Sequence, residues 1–370
     1  MRHIYVFILF GLFASCNGVN RSENDYSGKS NLELAHLDSL VIHGHGNLLF
    51  DDYKNNKLLF HNYMSKDIVI FDISSRRVDV FNRFGSNYEN YRQLIHNLKF
   101  YNDSTIVVGG LRNLKFYSLN GDFKGEISVK RPKANYSPIQ HLIFLSDSVF
   151  VYYESLQGDS SKKSFYKGDT IISVYDLHKG LIKRFGLYPE PESDYNDPEH
   201  YYIYPFLFHL KRAHDTLYVA SYNDLHLYAY HIPTGKKIKV LTLLPKYYTA
   251  YKRKFALSKK YSYNKMLQSI MQISIINGLD IADSLIFLGY TKAIGPEELQ
   301  AANSLDELQN PQCLYVISKN GNVLYDDKLP SDFGDFLFYR NDSLYFMARP
   351  TQESEDRNYT VIYKVKWNAE

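Results

Sequence analysis

Two histidines separated by one glycine, in His43-Gly44-His45-Gly46, carry side chains able to bind a metal or move a proton near neutral pH. A metal site ordinarily draws three or four ligands, and no companion His, Cys or carboxylate stands at a matching spacing. The stretch reads first as a glycine-rich connection between strands. No GxSxG, HExxH or P-loop occurs in the chain. Paired carboxylates for glycoside hydrolysis would have to come from acidic loop residues such as Glu190, Glu192, Asp194, Asp197 and Glu199, whose separations a sequence does not give. The expectation is a protein without a catalytic constellation, a cofactor motif or a metal site.

A second set of chemistry-bearing residues emerges from a repeat. Asp103, Asp147, Asp215, Asp283 and Asp342 are each followed by Ser or Thr and then a β-type run, as in YNDSTIVVGG and RNDSLYFMAR; NNKLLFHNY places Asn56 at the same point. The shortest interval is about 45 residues, the period of a propeller blade. The position seven beyond each of these residues closes the second strand and holds Tyr63, Gly110, Glu154, Tyr222, Tyr290 and Arg349. Tyrosines with one carboxylate and one Arg around a ring would form a binding rim for a protein, a peptide or a sugar. They would serve equally as blade-edge residues satisfied by neighbouring loops.

The elements that must position this rim repeat with it. A short apolar run precedes each Asp (NLKFY, HLIFL, FLFYR), and a third run follows the Asp strand (IVIFDI, NLKFYSL, IISVYDL, LHLYAYHI, CLYVISK, TVIYKVKW). Five copies add a fourth run after a turn. The pattern predicts an all-β, six-bladed propeller of four-stranded antiparallel blades. Tyr (34) and Phe (23) far outnumber the single Trp, a composition that suits half-buried pleated surfaces. The sixth blade lacks a fourth strand, and LDSLVIHG (37–44) is spare, so the ring is expected to close through the N-terminus. Aspartate side chains bonding their own backbone two residues on would make the turns.

First-to-second and third-to-fourth turns should share one face of the disc, and they are short. The long segments, 154–170, 186–207, 242–277, 291–312 and 349–359, all fall on the other face, which marks it as functional. Segment 186–207 is acidic and tyrosine-rich. Segment 246–272 is basic, without Gly or Pro, and reads as one or two helices; the two could pair across neighbouring blades. Further short helices are expected at 297–309 and from 86–94.

At the N-terminus, MRHIYVFILFGLFASC has a basic residue, a short apolar run and small residues, which reads as an export signal rather than a membrane span. Ala14-Ser15-Cys16 resembles the lipobox of bacterial lipoproteins, with Phe13 where that motif carries Leu, Val or Ile. The resemblance implies lipidation of Cys16, with residues 1–16 as signal and lipobox, 17–36 as a flexible tether and 37–370 as the propeller. Cys313, the only other cysteine, reads as a small buried hydrophobe. A net charge of +3, from 43 basic and 40 acidic residues, lacks the basic footprint of a nucleic-acid binder.

With FASC, the Asp-Ser strands, KFYSLNGDFKGEI, and the blade-ending Arg83-Phe84-Gly85 and Arg184-Phe185-Gly186, the chain resembles the Bacteroidota lipoproteins that carry a six-bladed, TolB-like propeller. That resemblance covers nearly the whole mature chain. It implies fold and a lipid-anchored place in the bacterial cell envelope, in the outer membrane, and brings no catalytic residue set. The function expected is a non-catalytic module that docks an envelope protein or peptide on its elaborated face. A glycan-binding surface lipoprotein and a propeller hydrolase or lyase are the alternatives.

Overall fold

A computed structural model of the chain describes residues 36–94, 97–130, 139–154, 170–187, 200–201, 208–221, 225–249, 255–256, 271–282, 284–301 and 308–367. The expected signal segment, Cys16, nearly all of the expected tether, Tyr222 and Asp283 lie outside them, as do the acidic residues of 188–199 and most of the basic segment.

Six four-stranded antiparallel sheets follow one another around a ring. The first blade holds β2 (Leu48–Lys54), β3 (Lys57–Asn62), β4 (Ile68–Asp72) and β5 (Val78–Phe81). The second holds β6 (Leu98–Phe100), β7 (Thr105–Gly109), β8 (Asn113–Ser118) and β9 (Phe123–Ser128). The third is β10 (Gln140–Phe144), β11 (Val149–Tyr153), β12 (Thr170–Asp176) and β13 (Gly180–Leu187). After β14 (His200–Tyr201), the fourth contains β15 (Phe208–Ala213), β16 (Thr216–Ser221), β17 (His226–His231) and β18 (Lys236–Thr242). After β19 (Phe255–Ala256), the fifth contains β20 (Ile275–Ile281), β21 (Leu285–Thr291), β22 (Gln312–Ser318) and β23 (Val323–Lys328). The sixth is β24 (Phe333–Arg340), β25 (Ser343–Ala348) and β26 (Tyr359–Lys366), completed by β1 (His36–His43). β1 pairs antiparallel with β26 from His36↔Val365 to His43↔Tyr359, so the N-terminal strand closes the ring as its spare position in the sequence suggested.

The strands read as continuous apolar runs because both faces of each blade are buried. Phe150 and Tyr152 pack toward the second blade, whereas Val151 and Tyr153 pack toward the fourth. β3 does the same, with Leu58 and Phe60 against the sixth blade and Leu59 against the second. Six hydrophobic clusters result, one at each interface between blades. Burying one such side chain contributes roughly 1.5–3 kcal/mol, so stability is spread around the ring.

The first-to-second hairpins fall at the repeated aspartates, but their side chains work differently from the expectation. In the β6–β7 turn the acceptor is the preceding residue: Ser104 N–H donates to Asn102 Oδ1 at 3.0 Å. In the β10–β11 turn Ser146 Oγ takes that place, accepting from Val149 N–H at 3.2 Å. Asp103 instead accepts from Asn55 Nδ2 of the first blade, 2.8 Å away. Asn55-Asn56 and Asn341-Asp342 have two successive positive φ angles (48° and 62°; 48° and 52°), the two-residue hairpin geometry that Asn and Asp tolerate. Bonds two residues on come from Asp72 and Asp176 in the third-to-fourth turns, where Ser74 and His178 N–H donate at 3.0 and 2.8 Å. Backbone bonds hold both carboxyls below the ordinary range, chiefly that from Ser75 for Asp72 and that from His178 for Asp176.

Two short helices occur among the described residues, both in second-to-third connections: α1 (Pro296–Ala301) and α2 (Gln352–Asp356). Thr351 and Ser354 cap α2 reciprocally, Thr351 Oγ1 accepting from Ser354 N–H and Ser354 Oγ from Thr351 N–H. No helix begins at 86–94. Tyr91 is drawn into the core and its hydroxyl donates to the Lys66 carbonyl at 2.7 Å, which holds this stretch in turns.

Candidate functional site

The two faces differ as the chain order predicts. Hairpins of a few residues occupy one. The other carries α1, α2 and the blade-to-blade connections, and there the acidic and basic insertions meet. β14 and β19 form a two-stranded antiparallel ladder, His200↔Ala256 and Tyr201↔Phe255. Residues 255–256 are therefore strand, not helix. The charged residues that would pair across this ladder lie outside the described residues.

The root of the basic insertion is clamped to the fifth blade. Lys246 N–H donates to Asp326 Oδ2, Tyr247 hydroxyl donates to Asp327 Oδ1 at 3.0 Å, and the Lys328 ammonium stands 4.8 Å from the Tyr247 ring centroid. Burial pushes the Asp326 carboxyl up to about 6, against the lowering bonds from Lys246 and Tyr290. A carboxyl whose folded pKa is raised stabilises the fold fully below its unfolded pKa near 4, and that stability is lost as pH rises to about 6. Urea midpoints of the wild type should therefore carry a component that falls between pH 4 and pH 6, and Asp326→Asn should remove it.

The expected rim divides. Tyr63 is 52% exposed, with Lys66 Nζ 4.3 Å from its ring centroid. Tyr290 is buried and its hydroxyl donates to Asp326 Oδ1 at 3.0 Å. Glu154 is buried, accepts from Ser173 Oγ at 2.7 Å and lies 3.1 Å from Arg184 Nε. Arg349 donates to the Phe333 carbonyl at 2.9 Å, to Gln309 Oε1 at 2.6 Å and to the Asn310 carbonyl. It thereby ties the β21–β22 connection to the sixth blade. Of the described rim side chains, Tyr63 presents its ring outward, and Glu154, Tyr290 and Arg349 act as internal fasteners.

His43 is exposed, its ring 6.2 Å from that of Tyr359. The loop around His45 is stitched by Asn358, whose side chain accepts from Gly46 N–H at 2.7 Å and donates to the Gly44 carbonyl at 2.9 Å. No group of three or more His, Cys, Asp or Glu side chains gathers among the described residues. Cys313 is buried beside Tyr290, and burial pushes its thiol up to about 12, far from a nucleophile's range.

The innermost strands contain what the repeat analysis passed over. Four of the six carry β-bulges that bring in a polar residue: Asp51 in β2, His141 in β10, Asn277 in β20 and Asp335 in β24, which shifts register a second time at the apolar Leu337. Asn277 Nδ2 donates across blades to Asp335 Oδ1 at 2.7 Å. His141 faces His209 of the next blade, ring centroids 6.4 Å apart, and His209 Nε2 lies 3.1 Å from the Ile276 carbonyl. Nearer the hairpin face, Lys99 pairs with Asp52 at 3.2 Å and Lys211 with Asp280 at 2.8 Å. Burial works against the Lys211 charge, but Asp280 outweighs it and raises its pKa. Burial likewise raises Asp335. A cavity of about 370 Å³ opens there, lined by Asp52, Lys54, Lys99, Lys211 and Arg212. The axis is thus a polar belt that fastens blade to blade. A signal for part of it existed: Asn97, His141, His209 and Asn277 each stand six before the repeated Asp.

This fold and layout define a six-bladed β-propeller elaborated on one face. No protein-family model matches the chain. No curated protein sequence matches it either. Among solved structures, a member of the DUF4221 family from Bacteroides vulgatus superposes with a TM-score of 0.66 at 14% identity, over 91% of this chain and 99% of that one. A protein from Bacteroides fragilis whose name calls it exported superposes with a TM-score of 0.52 at 12% identity, over 90% and 98%. At such identities the likeness is one of fold.

Proposed function

We propose that the chain is a non-catalytic binding module of the bacterial cell envelope, anchored in the outer membrane by lipid on Cys16, and that it docks a protein or peptide on its elaborated face. The observation that carries this reading is the one-sided build: insertions from neighbouring blades join through β14 and β19 over a rigid disc whose other face bears short turns. The anchor rests on the lipobox-like Ala14-Ser15-Cys16, and an exported protein of the same fold agrees with that address. Among the described residues no helix is long and apolar enough to cross a membrane.

Lipidated protein retrieved from native envelopes is expected to bring down a partner that a variant lacking 186–207 and 246–272 does not. The full chain should also incorporate labelled palmitate, and Cys16→Ala should not. Co-purification that survives the loop deletion would refute the docking surface. Equal labelling of Cys16→Ala would refute the anchor.

A further inference from the structure

We infer that the cleft between the β5–β6 connection and the β7–β8 turn is a binding site for an acidic oligosaccharide, one bearing uronate carboxylates or sulfate groups. The cleft encloses about 650 Å³, within the roughly 300–1,000 Å³ usual for ligand pockets. It takes a few sugar rings, whereas a stable protein interface needs about 800 Å² from each partner.

Gly109-Gly110 lines it, and at Gly109 the neighbouring backbone demands glycine, whereas at Gly110 the Asn113 side chain would have to move aside. A Cβ at Gly109 would stand 2.3 Å from the Ile139 carbonyl oxygen, and one at Gly110 1.9 Å from Asn113 Oδ1. One wall carries Tyr88, 66% exposed yet held edge-on against Phe123 at 5.6 Å between ring centroids. A fixed, exposed tyrosine offers an apolar face to the C–H surface of a pyranose and a hydroxyl to its oxygens. Asn87, Asn90 and Gln93 line the same cleft, and their side-chain amides make no hydrogen bond among the described residues. Each presents donors and an acceptor together, the complement of a sugar hydroxyl.

Charge narrows the ligand further. Arg92 and Arg112 are exposed on the cleft, and no carboxylate pairs with either among the described residues. The Arg92 guanidinium donates to the Ser86 carbonyl at 3.2 Å, and that of Arg112 has no partner there. Lys115 and Glu126 neutralise each other at 3.4 Å. Two unpaired guanidinium groups beside a tyrosine and three amides select a sugar chain with anionic substituents. None of its lining residues comes from 186–207 or 246–272, so the two assignments can be tested independently.

Titration calorimetry of the full chain tests this with three hexasaccharides: an oligogalacturonate, a sulfated chondroitin and neutral cellohexaose. At least one acidic probe should bind with a Kd below about 1 mM and at least tenfold tighter than cellohexaose; which one binds separates carboxylate from sulfate. Arg112→Gln and Tyr88→Ala should each weaken binding about tenfold or more, roughly 1.4 kcal/mol, without moving the urea midpoint. Lys366→Gln, on the opposite face, should leave it unchanged. An acidic probe that binds no tighter than the neutral one, or binding untouched by both cleft substitutions, would overturn the assignment.

Discussion

A chain that begins at Gly44, without β1, is expected to lose its cooperative unfolding transition and to expose its core at temperatures where the full chain is folded. β1 pairs with β26 along its length, and Leu40 and Ile42 are buried at 1% and 0% exposure between the sixth and first blades. Two buried aliphatic side chains contribute roughly 1.5–3 kcal/mol each. The ladder adds about 1 kcal/mol net per hydrogen bond. The sum approaches the ~5–15 kcal/mol that holds an ordinary protein folded. A single substitution should show the same dependence: Ile42→Asp places an unpaired charge in that interface and should cost more than about 4 kcal/mol. Ser39→Asp, on an exposed position of the same strand, should cost almost nothing. Far-UV circular dichroism against urea measures all three, and a truncated chain that melts like the full one would contradict ring closure by β1.

The second large effect is expected at Asp51 and His61. Asp51 Oδ2 lies 2.5 Å from His61 Nδ1, with side chains 1% and 3% exposed, and the buried His61 Nε2 has no hydrogen-bond partner among the described residues. Removing one member leaves a polar group stranded in the blade, so Asp51→Ala or His61→Ala should each cost about 3–5 kcal/mol. The double variant Asp51→Leu/His61→Phe should recover most of that loss, because replacing both members of a buried pair by apolar groups is close to neutral. Urea denaturation of the three variants decides it. Single substitutions that cost less than about 1 kcal/mol would show the pair to be incidental.

The ring, its blade count and its closure were legible because each depends on local chemistry that recurs: a turn residue, an apolar run, a fixed order of short and long connections. The spare LDSLVIHG declared itself by simple accounting against a sixth blade one strand short. The candidate site was less legible, for a physical reason. A position such as that of Tyr290 or Glu154 has the same spacing whether its side chain faces outward or bonds inward. Asp326 and Arg184 decide that, and they come from other strands. Bulges hid the axial belt as well, since one extra residue in β10 or β20 shifts the alternation that a strand pattern relies on. The helix expected from 86–94 failed because Tyr91 reaches a long-range carbonyl at Lys66, which no local pattern announces.

Site-specific photo-crosslinking in native envelopes addresses the docking surface most directly. A photoreactive residue at Leu244, exposed at the root of the basic insertion, or at Tyr63, exposed elsewhere on the elaborated face, is expected to yield a discrete protein adduct. The same residue at Ser75 or Asn320, exposed in turns of the hairpin face, is expected to yield none. Adducts from the hairpin face alone, or from neither face, would contradict a module that docks its partner on the elaborated side.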